Sequence, residues 1–214
     1  MEAHVLELLM SRVCHDLISP VGAIVNGVEL IEENGSAIAE DAMALIAKSA
    51  RLASRRLQFY RIAYGAAGTG SDRSLADARQ LATDFLLDGK VTLDWPDDDA
   101  KRTDRAGSGG IRLLLNLIAV GVDALPRGGK LKIGMTAQGP RLYVAVTAEG
   151  TNARLDPEVM AALAPQATAG TLQTRTVQAF FAAQLAAELD ARLTYDSGTG
   201  RVVIEALLPA PEPA

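Results

Sequence analysis

From residue 3 to about residue 33 the apolar positions Leu6, Leu9, Val13, Leu17, Val21, Ile24, Val28 and Ile31 recur three or four apart. At about 100° per residue they gather into one stripe, which predicts a long amphipathic helix. Asn34-Gly35-Ser36 then predicts a helix stop followed by a fresh N-cap. A second periodic segment runs from about 37 to 65, with Ile38, Ala42, Leu45, Leu52, Phe59 and Ala63 near one face. Two long helices joined by so short a turn must run antiparallel. Such a hairpin cannot bury two full stripes by itself. Either a second copy completes a two-fold four-helix bundle, or the hairpin packs on the rest of its own chain.

The pattern changes after "GAAGTGSD" (65–72), a composition break that reads as a linker. It divides the chain into a hairpin unit, 1–66, and a mixed α/β unit, 73–210. In the second unit a helix is predicted near 74–87, then a strand in "KVTLDW" and a polar loop over 96–107. A helix near 108–125 precedes two strands, "KLKIGMTA" and "RLYVAVTAE", which the short "QGP" joins as a hairpin. A loop-rich stretch over 150–170 leads to a helix near 171–189. Two last strands flank "GTG", and a frayed tail follows. The fold class is α+β.

Composition narrows the function classes. Of 214 residues 49% are hydrophobic but only 4% aromatic, so the core is built from Leu, Ala, Val and Ile. A net charge of -5 argues against a nucleic-acid surface, which needs concentrated positive charge. Cys14 is the single cysteine, which excludes an internal disulfide and fits a reducing compartment. No apolar run approaches the ~20 residues of a membrane span, and Glu2 and Glu7 stand where a secretory signal would be basic. The expected location is the cytoplasm.

Within the first helix, "SRVCHDLISP" places His15 beside Asp16 and sets Pro20 five residues on. A proline inside a helix costs about 3 kcal/mol, and core packing alone does not call for one. His15 falls opposite the apolar stripe and is expected in solvent, as is His4. Around it lie Ser11, Ser19, Gly22 and Asn26, with Glu29 and Glu33 further along, a face small and polar enough for another protein to approach. By spacing alone an exposed histidine is more often solvated scaffold than a reactive group.

The motif changes that weighting. "HDLISPVGAIVNGVELIEE" resembles the H-box of the two-component histidine kinases and phosphotransferases: a histidine, an acidic residue, an aliphatic, two variable positions, a proline and an aliphatic, here His15 through Val21. That family places the box on the first helix of a dimerising hairpin. The second half resembles the same family's Bergerat-type ATP-binding α/β sandwich with its nucleotide residues lost. "LLLNLIAVGVDALPRGGKLKI" follows the N-box, with Val120 where a Mg²⁺-holding Asn is expected four residues after Asn116. "RLYVAVTAEGTNARL" follows the strand and loop of Asp-x-Gly-x-Gly, with Ala148 in place of the adenine-binding Asp and Asn152 in place of the second Gly. The last glycine-rich box, over 169–197, lacks the Gly-x-Gly-x-Gly pattern. Valine cannot ligate Mg²⁺, alanine cannot accept from adenine, and side chains in place of glycines keep backbone amides away from phosphates.

A hairpin H-box joined to a nucleotide-dead sandwich is similar to the histidine phosphotransferases of alphaproteobacterial cell-cycle phosphorelays. The resemblance implies a homodimer that relays a phosphoryl group between aspartates of receiver domains through a phosphohistidine at His15. Asp16 would orient the ring or act as its base, although adjacent helical residues do not face each other well, and Ser19 would touch the transferring group. Ser11, Arg12, Ile18, Gly22 and Asn26 are the expected docking residues. The partners it implies are a hybrid kinase's receiver domain as donor and CtrA-like and CpdR-like response regulators as acceptors. No ATP would be bound, and the receiver would bring Mg²⁺. Arg51, Arg55 and Arg56 on the second helix form either a positive edge toward acidic receivers or a set of solvated arginines. Two other readings stay open: a kinase with a divergent ATP site, and a non-catalytic dimeric scaffold.

Overall fold

The computed structural model describes residues 3–35, 38–65, 74–96 and 106–208. Helix α1 (Ala3–Asn34) continues through Pro20 and stops where Gly35 turns left-handed at φ +61°, a backbone state glycine adopts without steric cost. Helix α2 (Ala39–Ala63) returns antiparallel. Its N-cap residue is Ile38, which makes no side-chain cap, and the cap expected at Ser36 lies outside the described residues. The two helices approach closely at Gly27, where an added Cβ would lie 2.6 Å from Ile46 Cγ1.

The apolar stripe read from the sequence is not the face that α1 buries. Val5, Leu9, Pro20 and Gly27 are buried, whereas Leu6, Val21 and Val28 are exposed and Val13, Leu17, Ile24 and Ile31 are half-buried. On α2, Ala42, Phe59 and Ala63 are buried as expected, but Leu45 is exposed. Helix α1 carries two adjoining apolar faces, and only one is covered within the chain. The other, with Leu6, Met10, Val21 and Val28, stays open, and Met43 and Leu57 of α2 are exposed as well. This surplus also corrects the expectation about membrane spans: by length and composition α1 is apolar enough to cross a bilayer. Averaged hydropathy registers both faces, whereas a search for an unbroken run stops at each polar residue.

The second half opens with α3 (Leu75–Leu86), started by a reciprocal cap in which the Asp77 amide donates to Ser74 Oγ and the Ser74 amide to Asp77 Oδ2. Strand β1 (Val91–Asp94), helix α4 (Gly107–Asp123) and strands β2 (Gly129–Gln138) and β3 (Arg141–Glu149) follow. Helix α5 (Pro157–Leu163) comes next, within the stretch read as loop-rich; Asp156 before Pro157 at the first turn is its start signal. Helix α6 (Val177–Glu188) begins six residues later than expected, after a 3₁₀ turn at Ala169–Thr171. Strands β4 (Arg192–Gly198) and β5 (Arg201–Leu208) close the chain. The five strands order as β1-β2-β3-β5-β4, with β1 parallel to β2 and the other pairings antiparallel. The β2–β3 and β4–β5 hairpins are those read from the sequence. The linker after Gly65, most of the polar loop and the tail lie outside the described residues.

Helix α4 lies against the sheet at Gly121, where a Cβ would meet Leu131 Cδ1 at 2.7 Å and Val146 Cγ1 at 3.0 Å. Its Leu113, Leu114, Leu117 and Ile118 are fully buried in a core that also includes Val5 and Leu9 of α1 and Phe59, Ile62 and Ala63 of α2. Packing of the hairpin on its own chain is therefore realised on one face. The two halves share one core.

Candidate functional site

Pro20 has no N–H, so the carbonyl of Asp16, four residues earlier, loses its helical donor. Arg56 Nη1, from the facing turn of α2, donates to that carbonyl. One turn along α2, the Tyr60 hydroxyl donates to Asp16 Oδ2. The other carboxylate oxygen, Oδ1, lies 3.2 Å from His15 Nδ1. A carboxylate only accepts, so the contact is a hydrogen bond when Nδ1 carries the proton, and in that neutral tautomer the lone pair is on Nε2. The His15 side chain is 84% exposed and that of Asp16 27%. Neighbours on a helix can meet here because α2 holds the carboxylate to the side of its own residue.

Beneath this pair lies a polar cluster. Arg12, one turn before Asp16, donates to Asp123 Oδ1 of α4 at 2.8 Å, with 15% of its side chain exposed. Burial works against the Arg12 charge, but the Asp123 carboxylate outweighs it and raises its pKa. Burial, reinforced by the Asp16 carboxylate, raises the Tyr60 phenol well above its ordinary range, so it remains a donor at physiological pH. The Tyr60 ring stacks on Tyr64 with centroids 5.2 Å apart, and the Tyr64 hydroxyl donates to Gln178 Oε1 of α6. Gln178 Nε2 donates to Asn116 Oδ1 at 2.7 Å, and Asn116 Nδ2 donates to the Ala63 carbonyl at 2.8 Å. Arg112 Nη2 donates to the Tyr64 carbonyl at 3.0 Å. The free carbonyls at the end of α2 are thus capped by α4.

The residues singled out in the sequence divide by placement. Ser11, Ile18, Ser19 and Asn26 are exposed with His15; Gly22 is partly covered but has open space over its Cα. Ile18, at 73% exposure, is a large apolar side chain next to the imidazole on this open face. Arg12 is not on it, since its guanidinium turns inward to Asp123. Nor do the three arginines of α2 form a common edge. Arg55 pairs with Asp88 at 2.9 Å and Arg56 holds the Asp16 carbonyl, leaving Arg51 exposed. Sequence reasoning missed Tyr60, Tyr64 and Gln178. The available signal was a tyrosine four residues after an arginine, on the return helix of a hairpin whose first helix holds the proline.

At the positions matched to nucleotide boxes, Val120 and Ala148 are buried in the common core, and Asn152 turns left-handed at φ +67°. Among the described residues no group of three or more His, Cys, Asp or Glu side chains is placed to hold a metal ion.

Comparison with known proteins bears on this geometry. Residues 75–201 match the family model described as the histidine phosphotransferase C-terminal domain. The protein phosphotransferase ChpT of Brucella abortus (strain 2308) is 38% identical over 200 residues, covering 93% of each chain. A solved structure described as a bacterial phosphotransferase, determined at 1.7 Å, is similar with a TM-score of 0.79 and 34% identity, covering 96% of this chain and 97% of its own.

Proposed function

The chain belongs to the histidine phosphotransferase family, and on that premise we propose that His15 is the residue that carries the phosphoryl group between receiver-domain aspartates. The observation that carries this reading is the exposed imidazole whose Nδ1 lies against Asp16 Oδ1, so that Nε2 is the ring nitrogen left for the phosphoryl group. Nε2 attacks the phosphorus of a donor receiver's aspartyl phosphate; the N–P bond forms as the P–O bond to the aspartate breaks, releasing that carboxylate. The positive charge that develops on the ring is shared with Asp16, which accepts from Nδ1–H throughout. In the second half-reaction an acceptor receiver's carboxylate attacks the same phosphorus and Nε2 leaves with its lone pair. Mg²⁺ held by the receiver supplies charge neutralisation for the transferring group.

Ser11, Ile18, Ser19, Gly22 and Asn26 form the docking face, with Ile18 as its apolar contact and Ser19 one turn from the nucleophile. A hybrid kinase's receiver domain is the donor and CtrA-like and CpdR-like regulators are the acceptors, in the cytoplasm. The open apolar faces of α1 and α2 meet those of a second subunit in a four-helix bundle. The enzyme takes no phosphate from ATP: apolar side chains fill the places of the Mg²⁺ and adenine ligands, which disfavours a divergent kinase. Micromolar Mg²⁺-dependent ATP affinity by calorimetry would count against this.

The test is transfer of labelled phosphate from a phosphorylated receiver domain. The label on this chain should be lost in acid, survive base and be absent from His15→Ala, whose fold and receiver affinity stay nearly unchanged. Gly22→Trp should keep the nucleophile yet raise the half-saturating receiver concentration about tenfold. An acid-stable label, or one that persists in His15→Ala, makes this histidine scaffold.

A further inference from the structure

We infer that Tyr60 is a positioning residue for phosphoryl transfer, selecting from α2 the imidazole tautomer that makes Nε2 of His15 the nucleophile. The inference rests on His15 being the phosphoryl carrier and adds how that carrier is prepared.

An aspartate beside a histidine on one helix has no fixed reason to meet it. Its carboxylate can rotate to solvent, and an exposed imidazole then takes the tautomer that water favours, with the proton on Nε2. That form has no lone pair on the outward nitrogen and cannot attack from the docking face. Here three groups of α2 and the second half remove that freedom. Arg56 holds the Asp16 carbonyl, so the backbone is pinned at the turn weakened by Pro20. The Tyr60 hydroxyl takes Oδ2, which leaves Oδ1 as the oxygen free to meet Nδ1–H. The Tyr60 ring cannot swing away, because it stacks on Tyr64 and meets Phe59 and Phe85 edge-on with centroids 5.8 and 5.9 Å off. Tyr64 is itself fixed through Gln178 to Asn116.

The phenol suits this task better than a charged donor. A lysine at this position would form an ion pair with Asp16 and weaken the carboxylate as an acceptor for the ring. A neutral donor orients the carboxylate and leaves its charge available to the imidazolium character that appears as phosphorus bonds to Nε2. Tyr60 is 4% exposed, so its contact with Asp16 is shielded from water.

The experiment compares the full-length protein with Tyr60→Phe, which keeps the ring and its packing and deletes the hydroxyl. A second variant carries 4-aminophenylalanine at position 60, which keeps both a ring and a neutral donor. Two readouts are taken: the tautomer of the His15 ring by long-range ¹⁵N correlation, with His15→Ala to assign the signals, and single-turnover transfer from a phosphorylated receiver. The native ring should be mainly Nδ1–H. Tyr60→Phe should shift it toward Nε2–H and slow transfer about tenfold at saturating receiver, with the half-saturating concentration within about twofold. The amino variant should restore both. An unchanged tautomer in Tyr60→Phe, or a rate within twofold of the native one, overturns the inference. So does a tautomer that follows neither variant's donor. If the native ring shows the Nδ1–H form and its loss in Tyr60→Phe, but no phosphate reaches His15, then the carrier reading fails and not the positioning contact.

Discussion

Arg56 donates to the carbonyl of Asp16, the one backbone acceptor in the middle of α1 that Pro20 leaves without a helical donor. The proline and the arginine lie on different helices and answer each other: what one removes, the other replaces. This contact also places the α2 turn bearing Tyr60 beside the Asp16 carboxylate.

It predicts a coupling that stability measurements can read. Arg56→Met, which keeps the stem and removes every donor, should destabilise the protein by about 1–2 kcal/mol in urea unfolding, the cost of an unpaired, partly buried carbonyl. In a Pro20→Ala background the new amide at position 20 satisfies Asp16, so the same change at Arg56 should cost less by about 1 kcal/mol. Equal losses in both backgrounds would mean that Arg56 works through something other than that carbonyl.

Asn116 should matter although it touches no reacting group. Asn116→Leu strips the donor from the Ala63 carbonyl and the acceptor from Gln178 in a fully buried setting. A loss of about 1–3 kcal/mol is expected, because the Ala63 carbonyl keeps only Arg112 Nε at 3.3 Å and Gln178 Nε2 only the position-116 carbonyl at 3.4 Å. Differential scanning calorimetry should show one transition moved down, because both halves share the core.

The proposed four-helix bundle would be held by the uncovered apolar residues. The native protein should sediment as a dimer at tens of micromolar, where an interface of ordinary size persists. Val28→Glu with Leu57→Glu should give a folded monomer, since both side chains are exposed within one chain. A native monomer at that concentration removes the four-helix bundle.

Alkaline titration follows from the phenols. Burial, aided at Tyr60 by Asp16, raises Tyr60 and Tyr64 above the ordinary tyrosine value near 10, and Tyr143 is pushed up to about 12, first by its hydrogen bond to Glu205 and then by desolvation. A phenol with a raised folded-state pKa binds its proton more tightly folded than unfolded. Its contribution to stability is whole below about pH 10 and is lost as pH rises through the folded value. Absorbance at 295 nm should therefore show Tyr60 and Tyr64 ionising only with unfolding. Tyr60→Phe should remove one such late step.

Much of this architecture was legible because it is local. The length of both helices, the turn at Gly35, the two β-hairpins and the exposure of His15 follow from spacing and from glycine. The buried face of α1 was not legible, because its inward positions are Val5, Leu9, Arg12, Asp16, Pro20 and Gly27, of which two are polar and two carry no ordinary apolar signal. Hydrophobic periodicity therefore pointed at the adjoining face. The site's second half was hidden for another reason. Asp16 and Tyr60 lie 44 residues apart, and Asn116 and Gln178 lie 62 apart; no local rule connects them. The motif points to the histidine, but not to what holds it.

The capping of Ala63 and Tyr64 by Asn116 and Arg112 has a kinetic meaning. A helix whose last carbonyls face water can pivot about its end, and a protein built that way must wait for its halves to align before reacting. Here that end is latched into the second half at three donors. In the proposed relay each arriving receiver would then meet the imidazole in one pose, with no internal rearrangement before transfer, and exchange of one receiver for the next would be the step left to set turnover.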